Sequence, residues 1–293
     1  MTQSNLHGMA LEYIIVDTLF TNLSKKGALL TPRSIITQKR DLVKFDSLSN
    51  TEKDEYLKYS KLVFKWFDNK FGNLKGDIIT IDRISDNEAV AGDVTDIRIS
   101  IVDEIINLSI KHNHFALKHQ RPPSLAIQCG FTKNSKEDIL FRESLNKINN
   151  SFHLNRNKLA PNVSAFNKLK EIDVNFIENN LYKPTCIAVI DFINNHTNPF
   201  LSKSLFLFLV GNKNFYKIIA SKGSVEIKEF ADILIPKKVE ASLVANSYVR
   251  LIFSNDWIIK MRLHTASTKI SNTPSLKFDT QVEKMNIPEA VIY

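Results

Sequence analysis

Asp96 and Lys111, fifteen positions apart, are the residues in this chain whose types and spacing best suit joint chemistry. The segment they bound, DIRISIVDEIINLSIK, reads as a β-hairpin turning at Asp103-Glu104. If Val102 and Ile105 face each other, counting outward sets Asp96 opposite Lys111, with Cβ atoms about 4.5 to 5.5 Å apart. Period-two alternation then gives one face to Ile97, Ile99, Ile101, Ile106, Leu108 and Ile110, and the other to Asp96, Arg98, Ser100, Asn107, Ser109 and Lys111. A carboxylate at the open end of such a hairpin can hold a divalent metal, and a lysine beside it can orient a water and favour its deprotonation for attack on a phosphodiester. Negative charge building on the phosphoryl oxygens would meet metal and lysine charge. The plainer reading of the same pair is a surface ion pair worth about a few tenths of a kcal/mol. Asp93, in GDVTD, is the rival carboxylate, ranked second because it registers with His114, beyond the expected end of the hairpin.

The elements that must position these groups follow from periodicity. Leu11, Ile14, Ile15, Leu19, Phe20 and Leu23 predict a first helix over Gly8 to Leu23 with one buried stripe. Glu12 flanks that stripe and is the candidate second oxygen ligand. A second helix is expected from Thr51 to Phe71, capped by Asn50 or Thr51. Strands are predicted at Ile78–Ile84, Asp96–Ile101 and Ile105–Ile110, and one at Leu125–Cys129 after the Arg121-Pro122-Pro123 break. Glu137–Asn150 reads as helix, with a further helix around Val163–Ile172. From Cys186 the pattern predicts strands at Ile187–Phe192, Leu205–Val210, Phe215–Ala220, Tyr248–Phe253 and Trp257–His264.

Composition narrows the function classes. With 293 residues, 43% of them hydrophobic and 10% aromatic, the chain can bury a real core, which excludes disorder and small disulfide scaffolds. Two distant cysteines, Cys129 and Cys186, give no metal-ligand spacing, so a reducing interior fits. The longest clean apolar run, Leu205–Val210, falls far short of the roughly 20 residues a spanning helix needs, and no leader opens the chain. A soluble, unexported, cytoplasmic protein without a membrane partner is expected. The formal charge of +8 points to a polyanionic partner. Residues 111–170 hold eleven Lys or Arg, three acids and four of the seven histidines, a surplus equal to that of the whole chain. A solvated basic face is the plain alternative for such a run.

Three segments carry a family resemblance: GMALEYI near the start, GDVTDIRIS followed by NLSIKHNHFALKHQRP in the middle, and SNDWIIKMRLHTASTKISNTPSLKFD near the end. With these the chain resembles the HaeIII-type restriction endonucleases, a branch of the PD-(D/E)xK nucleases. The resemblance implies an α/β fold, with a mixed β-sheet flanked by helices and a β-rich C-terminal half. It also implies a type II enzyme that cuts double-stranded DNA at a short GC-rich palindrome with Mg²⁺, alongside a cognate DNA methyltransferase that need not touch it. Carried over by position, Asp96 looks like the metal-binding acid, Lys111 the lysine and Glu12 the helix glutamate. One departure stands out: Ser109, two residues before Lys111, replaces the Asp or Glu of the broad nuclease pattern. Glu104 cannot substitute, since seven strand residues place it roughly 23 Å from Lys111.

The remaining candidates face DNA. His112, Asn113, His114, Lys118 and Arg121 follow the catalytic strand inside the basic segment. In the tail, Asn255-Asp256 turns the chain, and alternation sets Lys260, Arg262 and His264 on one face against Trp257, Ile259, Met261 and Leu263. Arg262 could bind a guanine edge, with Lys269 or Lys277 on phosphates. A zinc or HNH reading of His112-Asn113-His114 fails because no Cys or further His stands at ligand spacing. The expected organisation is a single endonuclease domain over 1–293, with the catalytic core to about 135 and DNA-contacting elements beyond it. Two-fold symmetric targets favour a homodimer, although a monomer can nick twice. The competing class is a basic DNA-binding or regulatory protein without catalysis.

Overall fold

The computed structural model describes residues 3–73, 78–84, 93–113 and 117–293, with the side chains at 3 and 4 left aside. The fold class is the expected one, a mixed α/β arrangement with helices flanking sheets. The chain divides into two compact units whose borders cross the sequence: one of residues 1–115, 211–233 and 287–293, the other of 116–210 and 234–286.

The first unit is built on a seven-stranded mixed sheet. Its strands are β1 (Ala28–Leu30), β2 (Ile79–Arg83), β3 (Ile97–Ile101), β4 (Glu104–His112), β5 (Phe215–Ser221), β6 (Ser224–Phe230) and β11 (Val291–Ile292), in that spatial order. The β1–β2 and β4–β5 pairs are parallel and the others antiparallel. Helix α1 (Gln3–Leu23) buries Ala10, Leu11, Ile14, Ile15 and Leu19 against Ile79, Ile81, Ile97, Ile99, Leu108 and Ile110. Its apolar stripe is the predicted one, begun five residues earlier. Helix α2 (Pro32–Asp46) escaped the sequence reading because its outward positions are as apolar as its inward ones: Ile36 is 71% exposed, whereas Gln38 and Asp41 are buried. Thr31, whose side chain accepts from the Ser34 amide, and Pro32 at the first turn were its local signals. Helix α3 (Asn50–Phe71) is capped by Ser49 rather than Asn50 or Thr51, since Ser49 and Glu52 form a reciprocal capping box.

The hairpin register corrects the expectation by two residues. Ile101 pairs with Glu104 and Ile97 with Leu108, so the loop is Val102-Asp103 and the chain turns one residue earlier than predicted. A slip of two preserves every side-chain direction, whereas a slip of one would have exchanged the faces. Ile97, Ile99, Ile101, Ile106, Leu108 and Ile110 accordingly line the core.

The second unit carries a four-stranded antiparallel sheet in the order β10 (Leu276–Lys284), β9 (Ile258–Thr265), β8 (Tyr248–Phe253) and β7 (Val239–Ala245). Helices α4 (Leu125–Gln128), α5 (Lys136–Leu159), α6 (Phe166–Ile172), α7 (Lys183–His196) and α8 (Pro199–Val210) complete it. Three predicted strands are therefore helical: Leu125–Cys129 falls in α4, Ile187–Phe192 in α7 and Leu205–Val210 in α8. A short apolar run cannot by itself separate a buried strand from a buried helix. Packing decides it here, because α8 buries Leu201, Ser202, Leu205, Phe206, Leu209 and Val210 at helical spacing. Trp257, fully buried, meets Phe206 edge-on at 5.3 Å between ring centroids.

Candidate active site

Asp96 lies in the bend just ahead of β3, and Lys111 is the penultimate residue of β4. Continuing the register places Asp96 across from Ser109, so the pair meets along a diagonal rather than directly. The contact forms nonetheless: Lys111 Nζ lies 3.3 Å from Asp96 Oδ2, and the Ile110 amide donates to the same oxygen at 2.6 Å. Both side chains remain about a quarter exposed, at 28% and 24%. Asp96 Oδ1 makes no hydrogen bond among the described residues, which leaves an oxygen donor turned to other use.

Glu12 on α1 reaches the same place electrostatically. Burial first, then the negative charge of Asp96, push its carboxyl up to about 7, against the opposing charges of Arg83 and Lys111. Arg83 at the end of β2 fixes it. This arginine is 3% exposed and donates to Glu12 Oε2, to Asp41 Oδ2 at 3.2 Å and to Gln38 Oε1 at 3.0 Å. Two carboxylates close enough for the charge of Asp96 to raise the proton affinity of Glu12, each with an oxygen uncommitted among the described residues, make a donor set that fits a hard divalent cation. No group of three or more His, Cys, Asp or Glu suited to a metal occurs among the described residues. The fit therefore rests on two carboxylates.

Asp93 is otherwise employed. Its carboxylate is 4% exposed and receives Arg98 at 2.6 Å, Lys213 at 2.8 Å and the Thr95 amide at 3.0 Å. Burial works against its charge, but the hydrogen bonds of Lys213 and Thr95 outweigh it and hold the carboxyl down to about 2. With both oxygens bound to the protein, Asp93 braces the loop before β3 and leaves Asp96 as the free-facing acid.

Ser109 is 2% exposed and pairs in register with Lys217 on β5, so their side chains share the Lys111 face. Lys217 is a group that sequence reading missed. It is 3% exposed, and burial, followed by the Lys111 charge, pushes its amine down to about 7. Its signal was a lysine at a strand position flanked by apolar residues in FYKIIAS, as for Arg83 at the end of ITIDR.

The predicted DNA contacts separate by place. His112 is held by Tyr56, whose hydroxyl lies 3.3 Å from Nδ1, and stacks near His7 at 5.8 Å; Asn113 beside it is exposed with φ 61°. His114 lies outside the described residues. In the second unit, Lys118 covers the Phe208 ring at 4.6 Å, and its burial lowers the ammonium's proton affinity. Arg121 is exposed and donates to Ser275 Oγ at 3.3 Å. Lys260, Arg262 and His264 alternate with buried Ile259, Met261 and Leu263 as predicted, and Lys277 faces His264 across the β9–β10 ladder. Lys260 Nζ lies 4.7 Å from the Tyr248 ring centroid. Asp279, which sequence reading passed over, gathers the other members of that row.

A mixed sheet that brings an acid and a lysine together at the rim of a central hairpin, within electrostatic reach of a helix glutamate, is an arrangement that suits phosphodiester cleavage. The family model of the HaeIII restriction endonuclease matches residues 8–230. The type II restriction enzyme HaeIII of Haemophilus aegyptius is 30% identical over 237 residues, which cover 71% of this chain and 70% of that protein. No solved structure matches the chain. The chain belongs to the HaeIII restriction endonuclease family, and with it to the type II site-specific deoxyribonucleases. Among the described residues no helix is long and apolar enough to cross a membrane.

Proposed function

We propose that this chain hydrolyses phosphodiester bonds of double-stranded DNA at a short GC-rich palindrome with Mg²⁺, in the cytoplasm, as the restriction half of a restriction–modification pair. The observation that carries the reading is the 3.3 Å approach of Lys111 Nζ to Asp96 Oδ2 at the rim of the β3–β4 hairpin, with Glu12 in electrostatic reach. Asp96 and Glu12 would hold the cation, which supplies Lewis acidity at the scissile phosphate and a water of lowered pKa. Lys111 orients the attacking water and presents its ammonium to the charge that builds on the phosphoryl oxygens. Arg83 keeps Glu12 in place. Ser109 contributes a hydroxyl and no charge, so the carboxylate set is two.

Specific contacts fall to the second unit, where Lys260, Arg262 and His264 form the base-reading row, Lys277 beside them takes a phosphate, and Lys118 and Arg121 flank the row. His112 and Asn113 extend the surface next to the catalytic lysine. A palindromic target suits a homodimer, and a methyltransferase of matching specificity would protect the host without contact.

Incubating plasmid with the protein in Mg²⁺ and in EDTA tests this. Discrete fragments that require the metal are expected, and their mapped ends give the target. A mobility shift with no cutting in any divalent metal would overturn the reading.

A further inference from the structure

Four basic side chains from three chain segments converge on one carboxylate in the second unit. Asp279 Oδ1 lies 3.2 Å from His264 Nε2, 3.4 Å from His119 Nδ1 and 3.9 Å from Lys277 Nζ, while Oδ2 lies 3.3 Å from Arg262 Nη2. Register explains the meeting: Asp279 pairs with Arg262 and Lys277 with His264 across β9 and β10, and His119 precedes the bridge of Gln120 to Phe278. Among the described residues the Arg262 guanidinium, 54% exposed, makes one contact, with this carboxylate, so its other donors can serve an outside partner. The His264 ring is set from its other side, with Nδ1 3.0 Å from the Thr265 carbonyl, and His119 Nδ1 is 3.3 Å from the Phe278 carbonyl.

We infer that Asp279 is a positioning residue for DNA recognition: its carboxylate fixes Arg262, His264, His119 and Lys277 in one orientation before the duplex arrives. This deepens the DNA-reading role proposed above for the β9–β10 face. Preorganisation fits the energetics, because ordering the long Arg262 and Lys277 side chains on binding costs entropy that a carboxylate already in place avoids. Asp279 itself stays anionic: burial opposes its charge, but His264, then His119 and Lys277, hold its carboxyl below the usual range.

Simple electrostatics and positioning predict different outcomes for one substitution. Asp279→Asn removes a negative charge from a basic face, so if the face merely attracts phosphates, binding to every duplex strengthens. If Asp279 positions the row, discrimination falls although the net charge has risen. The probes are duplex oligonucleotides carrying the site mapped from wild-type digestion, and a set with single base-pair changes. We expect Asp279→Asn to lower the ratio of cognate to changed-site cleavage by at least about fivefold, with binding to unrelated duplex equal or tighter. Asp279→Glu should recover part of the ratio. An unchanged ratio in Asp279→Asn, with thermal unfolding also unchanged, overturns the inference. Arg262→Ala separates the two levels. If it too leaves the ratio unchanged, the DNA-reading row itself fails. If it lowers the ratio while Asp279→Asn does not, only the positioning role is lost.

Discussion

Lys111 and Asp96, the proposed catalytic pair, meet by a diagonal contact, and both side chains stand outside the buried core. Asp96→Ala or Lys111→Ala is expected to abolish cleavage while retaining site-specific binding in Ca²⁺, measured by mobility shift and by plasmid digestion. Residual cutting with lost binding would reverse their roles. Lys217 offers a test of a different kind. Its amine releases its proton near pH 7 when folded but only at about 10.5 when unfolded. The unfolded chain thus holds more protons across that window, and stability rises with pH through it. Lys217→Met, which keeps the length without the charge, should be more stable than the parent below pH 7, by about a few kcal/mol. The difference should shrink as pH approaches 10. Denaturant midpoints at several pH values check this, and a difference that does not vary with pH would mean the amine does not titrate in that range. Asp96 and Lys111 were legible as residue types at a spacing, because alternation survives an error of two in register. Arg83 and Lys217 were not, because a charge buried within a strand is recognisable only once its covering partners are known.

At the level of elements, the sequence revealed what local chemistry controls and hid what packing controls. The α1 stripe, the β3–β4 hairpin and the β8–β9 pair repeat one period over enough residues to be read directly. The segments Ile187–Phe192 and Leu205–Val210 do not, and their helices arise from burial, with Phe192 against Phe131 and Phe141 and Phe206 against Trp257 and Phe253. The hairpin loop contains a local conflict that can be relieved. Val102, first of the two loop residues, has φ 54°, a left-handed value that a β-branched side chain tolerates poorly. Val102→Gly should stabilise the protein by about 1 kcal/mol, the strain released exceeding the entropy glycine adds to the unfolded chain. Val102 is 66% exposed, so little burial is lost. Thermal melts read the outcome, and a lowered midpoint would show that the loop carries no strain.

Across the whole molecule, charge divides between the units as sharply as the strands do. The second unit holds 20 Lys or Arg against 11 Asp or Glu, and the first 19 against 20, so the second carries a charge of +9 and the first −1 of the chain's +8. The basic run at 111–170 was the visible part of this, but the sequence did not show that 211–233 and its acids return to the first unit. Such a division suits an enzyme in which a nearly neutral unit performs metal-assisted hydrolysis while a basic one grips the phosphate backbone. The consequence is measurable in salt. Neutralising one cation that pairs with a phosphate lowers the slope of log K against log salt by about 1. Lys269→Gln with Lys277→Gln should therefore flatten the slope for unrelated duplex by up to about 2. Lys39→Gln with Lys61→Gln, on exposed positions of α2 and α3 in the first unit, should leave it unchanged. Equal flattening in both variants would mean that the backbone is gripped by the molecule as a whole, and that the charge division carries no functional weight.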